Sequence, residues 1–198
     1  MTEATELRML TFEPFPYYAD FTNIIQLNDA TPKLENLVFN INHISTTKAI
    51  QAYFTTNSEE KHLKINRVTF IGGKAISFIG NNSSTKLTVS HSEFKEYLPL
   101  GDGDYFYFYG INLDINNSKF NFYEFHDNII NAININLPNN STTKTINLYH
   151  NEFISRSLPG ISSRELKDDY DDFISIHVVS SSSKNIVISG SNRYNLNI

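Results

Sequence analysis

The sequence predicts an all-β solenoid of about six coils at residues 34–198, preceded by an N-terminal cap segment at residues 1–33. Three observations predict it. An eight-residue phrase recurs along the chain, its first intervals are nearly constant, and a second apolar strand follows each copy at a similar offset. A period in the twenties with several short strands per unit marks stacked coils, because one unit alone has nothing against which to bury its apolar side.

The phrase reads "LVFNINHI" from Leu37, "LKINRVTF" from Leu63, "LTVSHSEF" from Leu87, "LDINNSKF" from Leu113 and "INLYHNEF" from Ile146. A longer copy, "IVISGSNRY", starts at Ile186. Its first and third positions are apolar, the period-two pattern of a half-buried strand. Its middle is Asn, Ser, His or Arg, and asparagine suits a corner because it tolerates positive φ better than most residues. The phrases end at Ile44, Phe70, Phe94, Phe120, Phe153 and Tyr194, with intervals of 26, 24, 26, 33 and 41 residues. Parallel strands about 4.8 Å apart would pile these side chains into an internal ladder.

The second strands are "KAIQAYF" at Lys48, "KAISFIG" at Lys74, "YFYFYG" at Tyr105, "NAININL" at Asn131 and "DFISIHVV" at Asp172. Polar runs such as "NNSSTK" and "NNSTTK", or Gly110 in the shortest case, close them. Each unit therefore runs strand, corner, strand, loop, strand, turn. The competing architecture, a β-sandwich of hairpins, would favour Asn-Gly or Asp-Gly turns between paired strands. Only Asp102-Gly103 supplies one, and a sandwich leaves the recurring spacing unexplained.

At the N-terminal end, the aromatic stretch "FEPFPYYADFTNIIQL", with Pro14 and Pro16, is expected to cap the first coil. At the other end "NRYNLNI" runs strand-like to Ile198. Such an edge is a template for pairing. It predicts a homo-oligomer, a larger assembly or a longer parent chain.

These phrases, with "LKINRVTFIGG", resemble the coil motif of right-handed parallel β-helix proteins, the pectin-lyase-like superfamily, over roughly Leu34 to Ile198. The resemblance implies a right-handed parallel β-helix serving as a polysaccharide lyase or hydrolase, a tailspike, an adhesin or a structural coil. The chain departs from the enzymes of that group: it has no NTD, no SHG followed by RIK, no WIDH and no RxPxxR. The expected function is a non-enzymatic structural or adhesive module, self-associating and exposed on a cell surface or virion. The alternative is a carbohydrate-active enzyme, either polysaccharide lyase or glycoside hydrolase, or a carbohydrate-binding module.

Composition narrows the partners. A formal charge of −5, with no basic stripe, argues against nucleic acid. Cysteine is absent, which excludes a disulfide framework and thiolate metal sites. No apolar run approaches the roughly twenty residues of a membrane span, and the start "MTEATELRML" lacks the apolar core of a secretory signal. No cofactor is expected, and no metal. His91 and His150 share the corner position but belong to the third and fifth coils, too far apart for one zinc ion.

The candidate ligand site is the loop edge. Insertions gather after the Phe-terminated strand, as "KEYLPLGDGD" after Phe94 and "ISRSLPGISSRELKDDYDD" after Phe153. Loops from the same corner of successive coils build one binding face. Asp102, Asp104, Asp169, Asp171 and Asp172 supply carboxylates there. Tyr105, Tyr107 and Tyr109 alternate with Phe106 and Phe108, so a tyrosine stripe faces out for sugar stacking or an interface.

Overall fold

A computed structural model describes residues 6–13, 23–41, 48–55, 60–72, 74–80, 85–97, 106–124, 133–137, 144–157, 174–178 and 186–197. Among these, every regular element is a strand, and every pairing between strands is parallel. In chain order they are β1 (Glu6–Arg8), β2 (Thr11–Phe12), β3 (Asn23–Asn28), β4 (Lys33–Glu35), β5 (Val38–Asn40) and β6 (Lys48–Phe54). There follow β7 (His62–Asn66), β8 (Thr69–Ile71), β9 (Lys74–Gly80), β10 (Lys86–Ser90), β11 (Glu93–Tyr97) and β12 (Phe106–Tyr109). The last are β13 (Asn112–Asn116), β14 (Lys119–Glu124), β15 (Ile133–Leu137), β16 (Lys144–Ser157), β17 (Ile174–Val178) and β18 (Ile186–Asn197).

Each strand pairs with its counterpart in the next coil. The first face stacks β1, β4, β7, β10, β13 and the start of β16, and the second stacks β2, β5, β8, β11, β14 and the end of β16. A third, separate sheet runs β3, β6, β9, β12, β15, β17. The fold is thus a parallel β-solenoid, three strands to a coil, with its core inside.

A corner joins the first face to the second. The corner residues Met9, Asn36, Arg67, His91, Asn117 and His150 all have φ between 49° and 54°, the left-handed region. A non-glycine residue there loses about 1–2 kcal/mol, and coil-to-coil hydrogen bonds offset part of that cost. The amides of Asn36, Arg67, His91 and Asn117 donate to the carbonyls of Asn66, Ser90, Asn116 and Tyr149, at 3.0–3.1 Å. The bend turns the next residue inward, so Leu37, Val68, Ser92, Ser118 and Asn151 are buried.

Phenylalanine fills the core behind this corner. Phe12, Phe39, Phe70, Phe94, Phe120 and Phe153 form one column, with successive ring centroids 4.7–5.1 Å apart and planes within 9°. Tyr194 lies in backbone register with Phe153. The five from Phe39 onward are fully buried, each contributing about 1.5–3 kcal/mol. Phe106 of the third sheet meets Phe94 edge-on at 4.6 Å and ties that sheet to the column.

One frame differs from the sequence expectation. Phe39, rather than Ile44, partners Phe70, and Ile44 lies outside the described residues. Alternation alone cannot set the frame, because the apolar series Leu37, Phe39, Ile41 keeps its period of two whether it closes one phrase or opens the next. The left-handed corner does so, and in this coil it is Asn36. The strands β1, β2 and β3 pair in register with β4, β5 and β6.

Candidate functional site

The three faces differ in what they turn outward. On the first face the outward side chains include Lys33, Glu35, Lys64, Lys86 and Asp114. At its N-terminal end Lys33 Nζ lies 2.8 Å from Glu35 Oε2, Arg8 lies 3.1 Å from the same oxygen, and Asn66 donates to Oε1 at 3.0 Å. The Lys33 contact, then that of Asn66, holds the Glu35 carboxyl below its usual range. Lys33 is raised in turn, chiefly by Glu35.

The second face carries an alternating column. Glu93, Lys119 and Glu152 stand in successive strands in register. Lys119 and Glu152 are 3.4 Å apart, and Lys95 lies 2.9 Å from Glu93.

The third sheet is unlike both. Strand register sets Gln26, Gln51, Ser77, Tyr107 and Asn134 in one outward column, where Ser77 is covered by its neighbours, and Asn28, Tyr53, Ile79, Tyr109 and Asn136 in the next. None of these ten carries a formal charge. Their neighbours along each strand point inward, among them Leu27, Ile50, Phe54, Phe78, Phe106, Phe108, Ile133 and Ile135, all buried. Lys48 and Lys74 pair in register at the strand starts, one behind the other. Burial, and then the charge of Lys74, pushes the Lys48 ammonium below its usual pKa.

Hydrogen bonds along the strands hold the amides of this face. Gln26 donates to Asn28 at 3.4 Å, Asn136 to Asn134 at 3.1 Å, and Gln51 to the hydroxyl of Tyr53. The Gly110 corner, at φ 66°, ends β12 and is braced twice. Its amide donates to the carbonyl of Asn136 at 3.0 Å, and its carbonyl accepts from the buried Lys144 ammonium at 2.7 Å. Burial pushes the Lys144 pKa down.

Of the residues expected at a ligand site, Tyr107 and Tyr109 lie on this face, half-buried, with Phe106 and Phe108 inward. Asp102, Asp104, Tyr105, Asp169, Asp171 and Asp172 lie outside the described residues. The contribution of β3, β6 and β15 was not foreseen. Its signal was present: "KAIQAYF" and "NAININL" alternate amide or phenol with aliphatic, just as "YFYFYG" alternates Tyr with Phe. His91 and His150, at matching corners with Asn117 between, are both exposed. Among the described residues no three His, Asp or Glu side chains gather into a group suited to a metal ion.

Comparison with protein-family models, with curated proteins and with solved structures returned no match.

Proposed function

We propose that this chain is a non-enzymatic structural or adhesive module that acts by presenting one solenoid face to a partner, in an assembly or on a cell or virion surface. The carrying observation is the segregation of charge. Ten outward side chains of the third sheet are neutral, while both other faces bear lysines and carboxylates. Covering a charge that gains no partner costs several kcal/mol, about 2 or more even for a polar group left unbonded. A neutral, hydrogen-bonding face is therefore the cheapest of the three to cover, and it is the face on which a module of this kind would work.

The continuous phenylalanine column supports the structural side of this function, since stacked coils make a stiff rod whose surface pattern persists from coil to coil. The outward tyrosines at 107 and 109 favour one second reading, a carbohydrate-binding or carbohydrate-active solenoid of the pectin-lyase-like kind.

Light scattering of the full chain, together with adhesion of chain-coated beads to cultured cells, tests the proposal. Self-association or retention on cells, lost when Tyr107 is replaced by lysine, is the expected result. A monomer that adheres to nothing, or turnover of a glycan by the native chain, would overturn it.

A further inference from the structure

We infer that the outer face of β6, β9, β12 and β15 binds a neutral glycan, seated on the phenol rings of Tyr53, Tyr107 and Tyr109 and bonded by the amides of Gln51, Asn134 and Asn136. The inference rests on the proposal that this face is the module's working surface, and adds the class of ligand.

Chemistry selects that class. Sugar hydroxyls both donate and accept, and so do amides and phenols: a side-chain amide has two donors and two acceptor lone pairs, a phenol one donor and its oxygen. The bonds from Gln51 to Tyr53 and from Asn136 to Asn134 order these groups before a ligand arrives, which lowers the entropy lost on binding. Tyr107 and Tyr109 are two residues apart on one strand, about 6.6 Å. Their rings offer apolar surface beside a polar tip, the combination that suits a sugar's C–H face and hydroxyl rim.

Charge decides between neutral and acidic sugars. A uronate or sulfate lying on these two columns would be covered without any cation among the ten side chains. Lys48 and Lys74 stand apart, at the strand starts. A protein partner would find little apolar area, since Ile79 is the one aliphatic side chain in the two columns.

Calorimetric titration of the full chain with neutral hexose oligosaccharides, and with uronate oligosaccharides of matched length, is the test. The expected result is binding of at least one neutral series and none of the uronates. Tyr107→Ala and Tyr109→Ala should each weaken it about five- to tenfold, while Lys119→Ala on the second face leaves it unchanged. Asn134→Asp, which keeps the size of the side chain and adds a charge, should weaken it as well, so the outcome does not hang on the aromatic variants folding. Preference for uronates, no neutral ligand, or neutral binding indifferent to these substitutions would overturn the inference. If Tyr107→Lys abolishes self-association or cell adhesion while no glycan binds, a protein or second copy occupies the face: the inference falls and the broader proposal stands.

Discussion

Phe94 and Phe120 lie one coil apart with their ring centroids 4.7 Å from each other and their planes 9° from parallel, on backbone positions directly in register. Each ring is thus a wall of its neighbour's cavity. Phe94→Ala should cost about 3–5 kcal/mol, lowering the melting temperature by about 10 °C for a chain this long. Phe12→Ala, at the partly exposed head of the column, should cost clearly less. Thermal unfolding of the two variants side by side checks the ordering, and equal losses would contradict a continuous column.

His91 has φ 50° and an exposed side chain, while its amide bonds to Asn116 of the next coil. The position selects for backbone tolerance, not imidazole chemistry. His91→Asn should change stability by less than about 0.5 kcal/mol. His91→Val places a β-branched residue in the left-handed region and should cost about 1–2 kcal/mol. Urea denaturation measures both, and a costly asparagine variant would point to a role for the ring.

Gly80 closes β9 where space runs out. A Cβ added there would sit 2.7 Å from Ile111 Cγ2 and 3.1 Å from Thr85 Cγ2. Gly80→Ala should destabilise by about 1–3 kcal/mol. Ile111→Ala also destabilises, but it removes the obstructing methyl. The double variant should therefore lose less than the two single losses combined, by at least about 0.5 kcal/mol in a denaturation cycle.

His62 gives the fold a mild acid sensitivity. Burial first, then Lys64 and Lys86, hold its pKa below the ordinary 6.5, and its Nε2 lies 2.9 Å from Thr88 Oγ1. Because the unfolded chain takes up the proton first, stability should fall as pH drops below 6.5 and level off once the folded ring is protonated. Above 6.5 this residue contributes no slope. Glu35 acts only below the ordinary carboxylate value of 4.5. Denaturation midpoints should vary less with pH between 6.5 and 4.5 in His62→Gln, and an unchanged slope there would exclude His62 as the source.

What could be read from the sequence follows from which signals are local. The alternation in "LTVSHSEF", the polar corner and the terminal Phe94 are all short-range, and each appears as foreseen: β10, a left-handed His91, then β11. The frame of the coil before Phe70 was not legible. "LENLVF" and "LVFNINHI" overlap, so Leu37 and Phe39 can close one phrase or open the next, and only the position of the corner at Asn36 chooses between them. The inward polar ladder was hidden for another reason. Ser92 Oγ accepts from the amide of Val68, Ser118 Oγ from that of Ser92, and Asn151 Oδ1 from that of Ser118, at 3.0–3.2 Å. Alone, each of these residues looks like part of a polar corner on the surface; only stacking gives it a buried partner. The neutral third face likewise emerges across coils, since Gln51, Ser77, Tyr107 and Asn134 are far apart in sequence and become successive neighbours only through strand register.

The alternation of Glu93, Lys119 and Glu152 also bears on how the molecule assembles. Coils this alike invite a newly made segment to dock one rung too far along, where its apolar residues would still fit. Skipping the Lys119 rung would bring Glu93 against Glu152, a like-charge opposition that strand pairing disfavours. The surface thereby acts as a proofreader, rejecting omissions that the greasy interior could not distinguish from the native arrangement.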